Sequence, residues 1–239
     1  MTTFITITIM GTRMTDASAT APMRVLDVMR LQAWLSPAFP TGSFAYSHGL
    51  ETACAEGRLQ SATDMRAWIE SILRHGAGRT DGILCAHAWR AGTDDAALAK
   101  LAQWAGALSC CPERRLESFA QGRAFLEAAA AWGGRDDEAS DWPLCVAAGS
   151  TCARAGVALD AALAAYLQSF ATALVQALQR LGRLGQRGGV ALIGSLEGAV
   201  LDCAREAARA DLEELGGCAF ISDIMAMRHA TLQTRVFRS

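Results

Sequence analysis

The chain has 239 residues, enough for one sizeable hydrophobic core or at most two small ones. It is 51% hydrophobic and 19% charged, which excludes general disorder. Its 22 Lys+Arg nearly balance 24 Asp+Glu, for a net charge of −2. Chains that live on phosphate backbones carry a basic surplus or a basic stripe, and this sequence shows neither, so nucleic acid is not an expected partner.

Residues 1–10 read MTTFITITIM and alternate like a strand, but no basic residue precedes them and the apolar part is short for a secretory signal. With the small, polar stretch that follows, residues 1–22 read as a disordered leader, Met14 and Met23 being alternative starts, and residues 23–239 as one domain. From residue 25 onward helical periodicity dominates. Helices are expected over 25–35 and 45–56. A third follows the N-cap signal Thr63-Asp64, with Met65, Trp68, Ile69, Ile72 and Leu73 on one face, and a fourth runs from Thr80-Asp81 to about Arg90. Others are expected over 95–110, 113–132, 144–155, 157–181, 188–210 and 222–228, separated by short glycine turns.

The clearest stripe is Leu159, Leu163, Tyr166, Leu167, Phe170, Leu174, Leu178 and Leu181, with Gln168, Thr172, Gln176 and Gln179 opposite. This most apolar stretch leans on alanine and carries Asp160 and three glutamines, so it reads as a buried helix rather than a membrane span. Strand signals are missing beyond the leader, which leaves no room for a Rossmann or hydrolase sheet. The expected fold class is all-α: a single-domain helical bundle of about eight to ten helices.

The eight cysteines contain no Cys-x-x-Cys spacing. Cys85-Ala86-His87 and Cys110-Cys111 are the metal-like fragments. Neighbours on a helix point about 100° apart, so the second pair is expected to chelate poorly and the cysteines to be reduced core thiols of a cytoplasmic protein. No Glu-x-x-His pair offers a di-iron site, and the glycines at 182, 185, 188 and 189 precede no P-loop lysine. Ala45-Tyr46-Ser47-His48-Gly49 falls one residue short of a nucleophile elbow, and Pro37, Pro40 and Gly42 before it exclude the strand that an elbow needs. The expectation is a proline-broken turn whose Phe44 and Tyr46 dock on the bundle, in a protein with no catalytic residues.

Two segments stand out: 36–51, dense in proline, glycine and aromatics, and 227–239, with three arginines and no acid. The second has only Met227, Leu232, Val236 and Phe237 as apolar anchors, too few for a core of its own but enough to order on a partner. Ser-Pro-Ala-Phe-Pro-Thr-Gly-Ser-Phe-Ala-Tyr-Ser-His-Gly-Leu-Glu at 36–51 resembles the UreF-family signature SPALPVGGFSYSHGLE. Residues 227–239 resemble that family's ending MRHETQYSRLFRS. Thr80-Asp81 with Trp89-Arg90-Ala91, then Glu113, Arg115, Gly122 and Gly185-Gln186, fit between them.

The resemblance implies an all-α homodimer that acts with the UreD/UreH scaffold protein and the GTPase UreG on apo-urease, as an adaptor and regulator of the GTPase. Nickel insertion and GTP hydrolysis then belong to the partners, and no cofactor is intrinsic to this chain. It implies that Pro37, Phe39, Pro40, Gly42, Phe44, Tyr46, Ser47, His48, Gly49 and Glu51 build a surface for a partner. Arg228, His229, Thr231, Arg235, Phe237, Arg238 and Ser239 insert into the scaffold protein, and Arg180 and Gln186 complete the partner-binding set, Arg180 placed to reach the GTPase. The alternative is a direct nickel carrier, for which His48, His229 and Cys54 are the ligands near the special segments; no metal ligand is assigned.

Overall fold

The computed structural model describes residues 24–133 and 141–238; the expected leader and the choice of start lie outside them. Ten α-helices occur among the described residues: α1 (Val25–Trp34), α2 (Leu50–Ala55), α3 (Ala62–His75), α4 (Ala77–Ala91), α5 (Asp95–Ala107), α6 (Pro112–Ala129), α7 (Leu144–Arg154), α8 (Leu159–Arg180), α9 (Gln186–Ala207) and α10 (Phe220–His229). No strand is present among them, as the missing β-branched runs predict.

At the centre, α8 packs against α2, α3, α4, α7 and α9. Leu163, Tyr166, Leu167, Leu174 and Leu178 are buried along its expected stripe. The opposite face is partly covered: Gln168, Thr172, Gln176 and Gln179 are half-buried. By length and hydropathy α8 is the one described helix able to cross a membrane, and half of that window is buried within the bundle. Around it, α4 meets α3, α5, α7, α8 and α9. The α4–α7 approach is close because Gly149 has no side chain; a Cβ there would run into the Cys85 carbonyl.

Helix starts differ from the sequence reading in instructive ways. The cap of α3 is Ser61, whose Oγ accepts the Asp64 N–H at 3.1 Å while Asp64 accepts the Ser61 N–H at 2.9 Å. Asp64 is thus the third-position member of a capping box rather than the cap. The start of α4 lies at Ala77, so Thr80-Asp81 sits inside its first turns. Asp81 there accepts a hydrogen bond from the Tyr166 hydroxyl at 3.3 Å.

The expected 45–56 helix is two pieces, a 3-10 turn Ser43–Ala45 and α2. His48 and Gly49, at φ 57° and 78°, are consecutive left-handed residues that no helix continues through. The cysteines are all free, six buried, Cys110 half-buried and Cys218 exposed. Cys110 and Cys111 do not lie within a helix: Cys111 is the extended N-cap of α6. A hydrogen bond from Cys110 holds the Cys111 thiol down to about 7.

A candidate partner-binding site where the tail meets the Pro/Gly/aromatic segment

Behind α1 the chain turns through exposed Pro37 and Pro40, between which Phe39 is buried against Phe125 at 5.4 Å and Trp132 at 6.1 Å between ring centroids. Gly42, at φ 72°, opens the 3-10 turn that carries Phe44. Phe44 is 71% exposed, so it stands off the bundle instead of docking, while Tyr46 is half-buried as expected of it. Ser47 is fully buried, and its Oγ accepts the Glu51 N–H at 3.4 Å. It heads a turn into α2 and not a nucleophile elbow.

The His48 ring meets Phe170 edge-on at 5.2 Å, and burial, aided by the nearby Arg114 guanidinium, holds its pKa well below the ordinary value. It is therefore neutral at physiological pH. Gly49 is required twice over: its φ is positive, and a Cβ would lie 2.7 Å from the Ala226 nitrogen of α10.

That approach sets α2 beside α10 and brings Glu51 to the tail. Glu51 is 6% exposed, and its two oxygens collect three donors: Val236 N–H at 2.7 Å, Phe237 N–H at 3.0 Å and His229 Nε2 at 2.9 Å. A carboxylate is acceptor-only, so His229 donates from Nε2, and its buried Nδ1 has no hydrogen-bond partner. The tail is pinned further by the Arg238 N–H, which donates to the Ala45 carbonyl at 2.8 Å. Phe237 is 4% exposed and lies under the Arg180 guanidinium, 4.4 Å from its ring centroid; the same guanidinium is 5.8 Å from the Phe44 ring. Arg180 thus ties the two segments together.

The structure brings the sequence-predicted residues into one region but divides them by depth. Phe39, Ser47, His48, Gly49, Glu51, His229 and Phe237 are interior and act on the tail and the bundle. Pro37, Pro40, Phe44, Arg180, Gln186, Arg228, Thr231, Arg235 and Arg238 are exposed, and Gly42 and Tyr46 lie between the two groups. Arg228 pairs with Glu56 at 2.7 Å, Thr231 donates to the Arg228 carbonyl at 2.8 Å, and Gln186 accepts from Gln179 at 3.2 Å. Ser239 lies outside the described residues. His48, Cys54 and His229 form no metal cluster; no group of three or more His, Cys, Asp or Glu side chains converges among the described residues.

Sequence reasoning missed a buried polar group nearby: Arg114 paired with Glu117 on α6, and Asp81 across from them on α4. Burial raises the Asp81 carboxyl to about 6, against the opposing pull of Arg114. Arg114 and Glu117 have ordinary i,i+3 helical spacing on α6, but nothing in the sequence tells that the pair is buried or that Asp81 of α4 faces it. Arg183, which donates to the Cys54 carbonyl at 2.9 Å, was also missed, since only the fold places the end of α8 beside α2.

Comparison with known proteins places the chain in a family. The UreF family model matches residues 59–197, between the two segments described above. The protein named urease accessory protein UreF from Mesorhizobium japonicum is 44% identical over 89% of this chain and 96% of its own length. The one of the same name from Brucella ovis is 43% identical over 89% of this chain and 94% of its own. On that span and that identity, the chain belongs to the UreF family of urease accessory proteins.

Proposed function

We propose that the chain is a non-catalytic adaptor in urease maturation, working as a cytoplasmic homodimer. It holds the UreD/UreH scaffold protein and the GTPase UreG together on apo-urease and regulates when the GTPase turns over. Nickel is the cargo of that assembly, and GTP is bound by the partner rather than by this chain. The observation that carries the reading is the convergence of the Pro/Gly/aromatic segment and the tail on one surface. Buried Glu51 and His229 fix its geometry, and Phe44, Arg180, Arg235 and Arg238 are left on the outside. Exposed aromatics and arginines are the residue types that anchor protein interfaces.

The test is a truncation after Ala230, which keeps the His229–Glu51 contact and removes the strap beyond it. The truncated chain is expected to keep its helical circular dichroism and to lose co-purification with the scaffold protein. Undiminished recovery of the scaffold protein by the truncated chain would remove the tail from the adaptor role.

A further inference from the structure

Cys110-Cys111 plays no part in the adaptor reading. The two residues form the bend between α5 and α6, and Cys111 is the extended N-cap of the 18-residue α6, at φ −155° and ψ 163°. Half-buried Cys110 stands on the wall of a small cavity of about 60 Å³, with Thr80 and Asp81 of α4, Arg114 of α6 and Asp223 of α10. The pair thus lies where α4, α6 and α10 meet.

The two thiols are within hydrogen-bonding reach, and Cys110 donates to Cys111. That bond favours negative charge on the Cys111 sulfur. The Arg114 amide, in the first turn of α6, and the Arg114 guanidinium act the same way, against burial and Glu113. Cys110 is pushed in the opposite direction, since the same hydrogen bond, burial and Asp223 all favour its protonated form. The pair is therefore divided into a thiolate and the thiol that donates to it. The other cysteines lack this division. Burial raises the thiols of Cys54, Cys85, Cys145, Cys152 and Cys203, and exposed Cys218 is raised by its hydrogen bond to Asp223.

We propose that Cys110 and Cys111 form a peroxide-sensitive dithiol, which hydrogen peroxide closes into a vicinal disulfide and a thiol reductant reopens. The Cys111 sulfur attacks one peroxide oxygen and the O–O bond breaks. Hydroxide leaves, taking up the proton that Cys111 had released, and Cys111 becomes a sulfenic acid. The Cys110 sulfur then attacks that of Cys111. The S–S bond forms, the S–O bond breaks, and the departing hydroxide takes the Cys110 proton. Two thiols and one peroxide give one disulfide and two waters. Hydrogen peroxide is little larger than water, so it reaches a sulfur on a residue only 8% exposed, where a bulky disulfide oxidant does not. An adjacent thiol stops the oxidation at its reversible step. Neighbouring Cα atoms are ~3.8 Å apart, against ~4.4–6.8 Å across ordinary disulfides, so the bond is easily reduced and suits a reversible modification rather than a staple.

The test treats the full reduced chain with a small excess of hydrogen peroxide at pH 7. Remaining thiols are blocked with N-ethylmaleimide in denaturant, and the tryptic peptides are weighed. The peptide Leu101–Arg114 carries Cys110 and Cys111 and no other cysteine. It is expected to lose two hydrogens, to take up no maleimide, and to regain both thiols after dithiothreitol. Its oxidation is expected to outpace that of Cys218 about fivefold or more, because ~50-fold more thiolate at pH 7 is offset by at most about tenfold weaker intrinsic nucleophilicity. In Cys110→Ser, which lacks the resolving thiol, Cys111 is expected to accumulate as the sulfenic acid and to be trapped by dimedone. Cys111→Ser keeps a capping oxygen for α6 and is expected to leave Cys110 unreacted.

A disulfide from Cys110 or Cys111 to any other cysteine overturns the inference. So does oxidation of Leu101–Arg114 in the unaltered chain no faster than that of Cys218, or equal dimedone trapping in the two serine variants. The adaptor reading stands or falls separately, since its surface lies at the far end of α10.

Discussion

Replacing Glu51 with alanine removes the acceptor for three donors at once: the Val236 and Phe237 amides and the His229 ring. Each buried donor left without a partner costs about 1–3 kcal/mol, and hydrogen bonds to a carboxylate lie at the upper end. The strap has a cheaper course than staying in place, which is to leave its seat and hydrate its amides. Doing so gives up the burial of Phe237, worth about 1.5–3 kcal/mol. The docked strap in Glu51→Ala is thus weaker by about 3–4 kcal/mol, a hundred- to a thousandfold in its opening equilibrium. Hydrogen exchange followed by mass spectrometry reads this directly. Peptides over 230–238 are expected to lose protection by about that factor and trypsin to cut after Arg235, while the amides of α3 and α8 keep theirs. Glu51→Gln keeps one oxygen acceptor and turns the other position into a donor facing donors, so it falls between. Unchanged protection of the Val236 and Phe237 amides in Glu51→Ala would refute the claim that this carboxylate holds the tail.

Three further outcomes follow from the geometry. Burial raises the folded-state carboxyl of Asp81 to about 6, so the native state holds its proton more tightly than the unfolded chain does. Its contribution is therefore complete below the unfolded value near 4 and is lost as pH rises to about 6. Asp81→Asn is expected to be more stable than the parent by about 1–3 kcal/mol above pH ~7, with the two converging below pH ~4, as thermal melts against pH will show. Gly49→Ala meets both a positive φ and the Ala226 nitrogen at 2.7 Å, and a loss of about 2–4 kcal/mol in denaturant unfolding is expected, with α10 the first helix to exchange. Phe237→Ala empties the seat under Arg180 and is expected to free the strap by about 2–4 kcal/mol, raising exchange at the Phe237 position without moving the global melting temperature.

The helices were legible because their signals are local. The stripe of α8 and the Met65–Leu73 face of α3 repeat at helical spacing, and every helix that the sequence predicts has a counterpart in the fold. What failed was also local but smaller. Ser61 and Thr63 are both competent caps, and only the turn geometry chooses between them. Thr80-Asp81 imitates a helix start, yet α4 begins earlier, on Ala77 and Gly78, where the sequence has no capping residue to show. At the site, the residue types were visible and their depth was not. Glu51 reads as a surface acid at the head of a short helix. Its burial depends on two amides some 185 positions away, which no window of sequence contains.

The separations bridged by Glu51, 178 to its ring partner and 185 and 186 to the amides, bear on the order of events in folding. Closing a loop of that length yields nothing until the intervening helices have condensed and brought its two ends together, so the contact arrives after the barrier to bundle formation has been crossed. Interactions made that late govern how fast a region comes apart and hardly affect how fast it forms. The strap is accordingly the piece of this molecule whose residence time can be tuned by single substitutions while the rate of assembly of the helices stays as it is.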